Sequence, residues 1–591
     1  MSKKKVRLIF YDFEVFKYDF IVVFYDYITN KRCVIVNDVE KLKKFYNKFK
    51  DCIFVGYNNR HYDQYIFKAL LLNMNPKEVN DKLINENIKG YQISKKFKDI
   101  QMYNYDCMLL GKGLKQLEGF MGESIEETSV DFNIDRKLTE KELQDSINYC
   151  IHDVEQTIKV FNETKQEFDA HLGMITEFKL GMDCFSKTKA QLSAQVLGAE
   201  RLHGIDDELE YEFMDTIRLD KYKYIQEWFD RNRFYHIKHE NKKDTPNKLK
   251  TEVMGLSTTF GFGGVHSALT KYKSEGFLVH SDVRSYYPSA MVLYELLSRA
   301  VKDPLKYKNV LDTRVYYKML GDPRQAPYKI ILNSTFGIAK DKNSAMYDPK
   351  KANEICINCQ LFLVDLVEKL EKELGDNIIN VQLNTDGIIM KLTDKSYFDK
   401  YVEICEEWQN RTGFELEHDL IKRIIQKDVN NYLFEFESGK IERKGAYVKK
   451  LSRIDYNLSI VNKAVVEYLL HDVPVEKTIN NCDDLIEFQQ ISKIGSTYKY
   501  IMYGDKPIKE KIIRTFACTK DLPGVWKIKD KIDKDTGEIK ESPEKIANTP
   551  EKCFIDNTNI VGKKCPEYLD KQFYIDMAKK RIRDFIGKDK I

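Results

Sequence analysis

The period of apolar and polar positions changes several times along the chain, and each change predicts an element. Within residues 1–165, RLIFYDF, FIVVFYDY and CIFVGYN read as strands, whereas YDQYIFKALLL and LQDSINYCIHDVEQTIKVF repeat at helical spacing. Strands alternating with helices predict an α/β domain. Residues 170–255 read as mainly helical and charged, a connector. FLVHSDVRSYYPSAMVLYELL, 277–297, predicts strand, turn and helix, with Pro288 in a first helical turn that tolerates its missing N–H. Two short helical stretches fill 301–340, broken at Gly321, Pro323 and Pro327. VQLNTDGIIMKL, 381–392, predicts a hairpin with a tight Asp386-Gly387 turn, the glycine supplying positive φ. Lys, Asp and Glu dominate 527–552, which reads as an exposed loop or hairpin. Near the end, Ile575, Ala578, Ile582 and Phe585 share one helix face, with Lys and Arg on the other.

A chain of 591 residues exceeds one core, so three to five domains are expected. Basic residues number 96 against 92 acidic, a formal charge of +4, which excludes a simple polycationic binder and leaves only local nucleic-acid surfaces. No apolar run is long enough to span a bilayer. MSKKKVRLIFYDFEVF is interrupted by Asp12 and Glu14 and lacks a small-residue cleavage site, so a soluble intracellular protein is expected. Of twelve cysteines, only Cys356 and Cys359 are close, on an amphipathic helical pattern without a second pair at zinc spacing. Reduced core thiols are the expectation.

Four carboxylates then change the picture. Asp12 and Glu14 are two apart on a strand and leave the same face. Asp63 opens a helix after Asn59 and Tyr62, and Tyr149 and Asp153 are four apart on one helix face. Taken singly, Asp63 reads equally as an N-cap, Asp153 as a solvated charge and Asp12 as a strand end. Together they suit phosphodiester hydrolysis, in which carboxylates hold two divalent ions about 3.5–4 Å apart. Without metal such a set repels itself and is driven towards protonation. A tyrosine one turn before the last aspartate can orient the attacking water.

These DxE, Nx2YD and Yx3D patterns, in that order, resemble the exonuclease motifs of family B DNA polymerases. Downstream, SDVRSYYPS (281–289) is similar to that family's motif A, KIILNSTFG (329–337) to motif B, with Phe336 in place of tyrosine, and QLNTDG (382–387) to motif C. RKGAYVKK (443–450) is similar to the KxY region, with one extra residue, and GFGGVHSA (261–268) to the YxGG segment. The motifs are collinear over roughly residues 8–455. The resemblance implies an RNase H-like exonuclease domain at 1–170 and a helical connector at 171–255. A right-hand polymerase would follow: palm at 256–300 and 341–455, fingers at 301–340, thumb and C-terminal region at 456–591.

It further implies that Asp282 and Asp386, with Val283 as a further metal contact, hold two Mg²⁺ (or Mn²⁺) for nucleotidyl transfer, and that Asp12, Glu14, Asp63 and Asp153 hold two for proofreading. Lys329, Asn333, Phe336 and Tyr287 would meet the incoming nucleotide, Tyr287 excluding a ribose 2′-hydroxyl. Arg314 and Lys318, four apart, are candidate phosphate contacts, with a solvated helix face as the other reading. Asn59, Gly263, Gly264, Lys444, Tyr447, Lys449 and Lys450 would bind DNA, the last four having an exposed strand edge as their alternative. Expected partners are primer-template DNA, single-stranded DNA, dNTPs and replication accessory proteins, with the chain a monomer.

Motif C of the resembled family reads YxDTDS, so the sequence departs from it at Gln382, Asn384 and Gly387. Asp386 is the essential ligand the resemblance implies, so Asn384 is tolerated. Only 47 positions separate Asp282 from Lys329. The large insertions of protein-primed relatives are missing from that interval and from 337–386, which argues against a terminal-protein primer. The compact layout looks like bacteriophage replication polymerases, and the cytoplasm of an infected bacterial host follows as the expected location. Two other readings stand behind this one: a 3′→5′ exonuclease whose polymerase half has decayed into a DNA clamp, and a non-catalytic single-strand-binding protein. Residues 456–591 carry no chemically readable motif.

Overall fold

The computed structural model describes residues 6–206, 208–233, 248–508, 510–532 and 538–587. Parts of three predicted segments therefore lie outside the described residues: the N-terminal basic stretch, the 171–255 connector and the tip of 527–552. The chain divides into two compact units, one from 1–187, 451–467 and 473–578, the other from 188–450, 468–472 and 579–591. The region expected as thumb and C-terminus is thus divided between the two.

In the first unit, β1 (Leu8–Val15), β2 (Phe20–Asp26), β3 (Lys31–Val36), β4 (Ile53–Gly56) and β5 (Tyr103–Asp106) form a sheet in the order β3-β2-β1-β4-β5. β1 and β4, and β4 and β5, run parallel; β2 and β3 are antiparallel additions. The period-2 pattern of β1 assigns its faces. Ile9, Tyr11, Phe13 and Val15 enter a core with Val22, Phe24, Phe54 and Phe67. Each such side chain contributes about 1.5–3 kcal/mol on burial. Phe10, Asp12 and Glu14 take the opposite face, which the helix Glu140–Glu163 covers, Phe10 meeting Phe161 edge-on at 5.2 Å. The same alternation that builds the core thus delivers two carboxylates to a helix.

The C-terminal part of this unit adds a sheet of Gln490–Lys493, Ile512–Ala517 and Cys553–Ile555. Its Arg514 is fully buried. The guanidinium donates to the carbonyls of Gly119 (3.2 Å), Glu123 (2.6 Å), Asp556 (3.1 Å) and Thr558 (2.6 Å) and to Gln489 Oε1 (2.9 Å). Two of those carbonyls lie at the C-terminal end of the helix Leu114–Met121, where a cation complements the dipole. The charged segment 527–552 is a hairpin of Val525–Ile532 and Ile539–Lys545. In the final helix, Lys571–Ile586, Ile575, Ala578, Ile582 and Phe585 are buried, as their spacing predicts.

The second unit holds the hairpin β6 (Lys248–Val253) and β7 (Leu256–Gly261) and an antiparallel sheet. The sheet contains β8 (Ser267–Ala268), β9 (Tyr272–Val283), β10 (Ile378–Asn384), β11 (Gly387–Leu392), β12 (Leu416–Asp428), β13 (Asn431–Phe436) and β14 (Ile441–Lys444), ordered β14-β13-β12-β9-β11-β10-β8. The helix Pro349–Leu374 reads as amphipathic but is buried almost all round from Ala352 to Val367. Two of its polar residues bond backbone carbonyls, Asn358 donating to Glu212 O at 2.8 Å and Gln360 to Gly261 O at 2.8 Å, and Asp365 pairs with Arg411 at 2.6 Å. Cys356 and Cys359 on it are buried free thiols. Residues 301–340 form two 16-residue helices, Pro304–Met319 and Gln325–Lys340. Pro327 does not break the second, because it falls in the first turn, where no N–H is required. Between Gly198 and Tyr222 the described residues are irregular rather than helical.

The 381–392 hairpin forms, but not with the expected turn. Asn384 pairs with Gly387, so Thr385 and Asp386 make the tip and Gly387 is already a strand residue without positive φ. The glycine is required for space. A Cβ there would lie 2.7 Å from Ser281 O and 3.1 Å from Asp282 Cα, because β9 runs against β11 at that point.

Two candidate active sites

The first site lies in the first unit. Ligand atoms of Asp12, Glu14 and Cys150 lie within 4.8 Å of one another, and so do those of Glu118, His152 and Asp153. Asp63, the first residue of its helix, is not the N-cap. It turns inward, and its Oδ1 accepts the Phe13 N–H at 3.1 Å. Asp153 is buried, not solvated. Burial, then the neighbouring charges of Asp63, Glu14 and Asp153, pushes the Asp12 carboxyl well above its usual range. Glu14 is raised likewise by burial and by Asp153 and Asp63. Burial lifts Asp63 to about 7 and Asp153 to about 6. The cluster therefore repels itself, and added positive charge would relieve it. Carboxylate oxygens are a donor type that hard divalent cations accept.

Sequence reasoning missed the cation already present. Lys115 Nζ bonds Asp153 Oδ1, reaches Glu118 Oε1 at 3.1 Å and sits 4.5 Å from the centre of the Tyr149 ring. Lys115 and Glu118 are three apart on the helix Leu114–Met121, a KxxE spacing that signalled only a surface pair. Glu118 is instead fully buried. Asn59 is fully buried as well. Its Nδ2 donates to Asn104 Oδ1 (3.0 Å) and Tyr105 O (3.2 Å), and its Oδ1 accepts from Asn104 Nδ2 (3.2 Å). As placed, it offers DNA no free group.

The second site is a cavity of about 310 Å³ in the second unit. Asp282, Val283, Tyr287, Arg314, Lys318, Asn333, Phe336 and Asp386 all line it. Asp282 stands near the end of the central strand, cross-strand from Gly387 on one side and Glu417 on the other. Val283 N–H donates to Asp386 O at 2.8 Å, tying the hairpin tip to β9. Burial, followed by the charges of Asp386, Glu417 and Glu442, lifts the Asp282 carboxyl to about 7, against the opposing pull of Lys318. Glu417 is a third acid of this cavity that FELEHDL did not single out, since a strand carboxylate is usually solvated. It accepts from Arg284 Nε at 2.8 Å and pairs with Lys318 at 3.3 Å.

Tyr287 and Phe336 meet edge to face at 4.6 Å. Arg314 is partly committed, donating from Nη1 to Ser285 Oγ at 2.6 Å. Ser285 itself has a left-handed conformation (φ 51) at the start of the helix Tyr286–Leu293, a local strain of the kind sites retain. Lys329 is exposed on the Gln325–Lys340 helix and is not part of the cavity lining. Gly263 faces open space, whereas a Cβ on Gly264 would meet Thr385 Oγ1 at 2.5 Å. Farther along, Lys444 lies 5.7 Å from the Tyr432 ring, and Lys427 and Arg581 flank the Tyr447 ring at 5.3 and 4.9 Å. Lys450 is exposed and Lys449 half-buried. Among the described residues no helix is long and apolar enough to cross a membrane.

No protein-family model matches the chain, and no curated protein does. Among solved structures the chain is similar to the family B DNA polymerase from the hyperthermophilic archaeon Pyrobaculum calidifontis. The identity is 12%, covering 98% of this chain and 78% of that one, with a TM-score of 0.40.

Proposed function

We propose that the chain is a DNA-templated DNA polymerase with 3′→5′ proofreading, acting in bacteriophage DNA replication. The observation that carries this reading is the second cavity, in which side chains from three motifs spread over 282–386 converge on a pair of aspartates. A decayed polymerase half would have no reason to keep Asp282, Asp386, Asn333 and Tyr287 around one space. Divalent ions, when bound, supply activation of the primer 3′-hydroxyl or of water and stabilisation of the phosphoryl charge. Asp282 and Asp386 would hold them in one site, and Asp12, Glu14, Asp63 and Asp153 in the other. The chain's own groups do the rest. Lys318 and Arg314 line the cavity with positive charge for a triphosphate, Tyr287 with Phe336 forms an aromatic wall for the sugar and base, and Tyr149 stands one helical turn from Asp153 to orient water.

The test is a primed template with Mg²⁺, with and without dNTPs. Lengthening with dNTPs and shortening without them is expected. Asp386→Ala abolishes extension and spares trimming, and Asp12→Ala does the reverse. A protein that trims but never extends is the nuclease-clamp alternative, and one that binds single strands and does neither is the scaffold.

A further inference from the structure

The GFGGVHSA segment contains a histidine that the motif resemblance does not use. Ser267 on β8 pairs with Leu383 on β10 in an antiparallel register, which sets His266 opposite Asn384, next to the hairpin tip. The segment is firmly seated on both sides of His266. Val265 is fully buried, and Ser267 Oγ accepts from Thr258 Oγ1 (3.0 Å) and donates to Ser257 O (3.1 Å). Upstream, the Gly263 carbonyl accepts from Cys356 Sγ at 2.9 Å.

From this seat His266 reaches the tip by two contacts. Its Nδ1 lies 2.9 Å from Asn384 Oδ1 and its Nε2 lies 3.5 Å from Thr385 Oγ1. Asn384 Oδ1 also accepts the Thr385 N–H at 2.9 Å. A backbone N–H needs an oxygen there, which fixes the amide orientation. With an oxygen facing it, Nδ1 must be the protonated nitrogen, and Nε2 is left to accept from the Thr385 hydroxyl. One ring therefore touches both residues that precede Asp386.

We propose that His266 is a positioning residue for the polymerase site, bracing the Asn384-Thr385 tip so that Asp386 is held against Asp282. The brace rests on the polymerase reading of that cavity. It gives Asn384, where the resembled motif carries Asp, a task of its own: an oxygen that accepts two hydrogen bonds without adding a charge two residues from Asp386. An exposed histidine on a preformed strand edge is a low-cost way to do this, because it can be removed without opening the core.

The experiment is single-turnover extension by the full chain carrying His266→Ala, Asn384→Leu, both together, or Asn384→Asp. Removing one bracing hydrogen bond is expected to lower the extension rate about 10-fold, with dNTP affinity and melting temperature unchanged. The double variant falls well short of the product of the two single losses, since both remove the shared His266–Asn384 bond. Asn384→Asp keeps both acceptor bonds and extends faster than Asn384→Leu. Mn²⁺ titration of the DNA-free Asp12→Ala protein gives a readout independent of turnover, and adding His266→Ala is expected to weaken ion binding at the tip by a similar factor. Wild-type rates in His266→Ala, or losses that multiply in the double variant, overturn the brace. A wild-type chain that never extends overturns the polymerase reading instead, and the Mn²⁺ titration then decides the brace alone.

Discussion

Gly387→Ala adds a single methyl group beside the second cavity. The added methyl carbon would lie 2.7 Å from Ser281 O, 3.0 Å from Asp282 Oδ1 and 3.1 Å from Asp282 Cα. Two of these three obstacles are backbone atoms, so no rotamer change relieves them. Restoring ordinary contact requires β11 and β9 to part by about 0.7 Å at the Asp282–Gly387 pair. Overpacking of this kind costs about 1–3 kcal/mol in stability. The kinetic cost is larger, because displacing catalytic groups by about 1 Å is worth about 10²-fold in rate. Primer extension at saturating dNTP and Mg²⁺ should therefore fall about 100-fold, while trimming of single-stranded DNA and cooperative unfolding persist. Gly387→Ser should fare no better, although the motif this segment resembles carries serine there. Extension within a few-fold of wild type would show that the β9–β11 approach does not set the site, and loss of both activities together would indicate misfolding instead.

Other outcomes follow from the same geometry. Arg514→Met removes the partner of Gln489 Oε1 and the Gly119 carbonyl in the interior and of three part-buried carbonyls, at about 1 kcal/mol for each buried group; urea denaturation should report at least about 2 kcal/mol lost, and a change below about 1 kcal/mol would contradict the assignment. Asp63 and Asp282 at about 7 and Asp153 at about 6 bind more protons folded than unfolded between about pH 4 and 7. Metal-free protein should therefore lose stability as pH rises through that window, and Mg²⁺ should restore it; melting curves at several pH values check the sign. Tyr287→Ala, which opens the wall made with Phe336, should incorporate ribonucleotides more readily, and unchanged sugar discrimination would remove that role.

What was legible in the sequence was local and periodic. β1 declared its two faces in its second half, where Asp12 and Glu14 alternate with Phe13 and Val15, and the Asp12–Glu14 and Tyr149–Asp153 spacings needed only strand and helix geometry to be interpreted. Less legible was whatever depends on a distant partner. β5 is only four residues, Tyr103-Asn104-Tyr105-Asp106, and shows no apolar run. Lys115 and Glu118 look like surface charges until the fold buries Glu118 and half-buries Lys115, and Glu417 until the cavity forms beside its half-exposed side chain. Gly387 was legible as a glycine required by the chain, but for the wrong reason: dihedral freedom was inferred, whereas the close approach of a strand a hundred residues earlier imposes it. Asn59 failed similarly, since no local pattern announces that Asn104 will consume its amide.

The five hydrogen bonds of Arg514 also bear on the order in which this protein can be completed during synthesis. The end of the helix bearing Lys115 and Glu118 is tied to a residue made almost four hundred codons later, and to Asp556 and Thr558 later still. While the ribosome is still translating the middle of the message, the Glu123 carbonyl has water in place of that guanidinium, and Gly119 has only the Gly122 N–H of its own helix end. A fragment ending near residue 187 would keep that unfinished edge permanently.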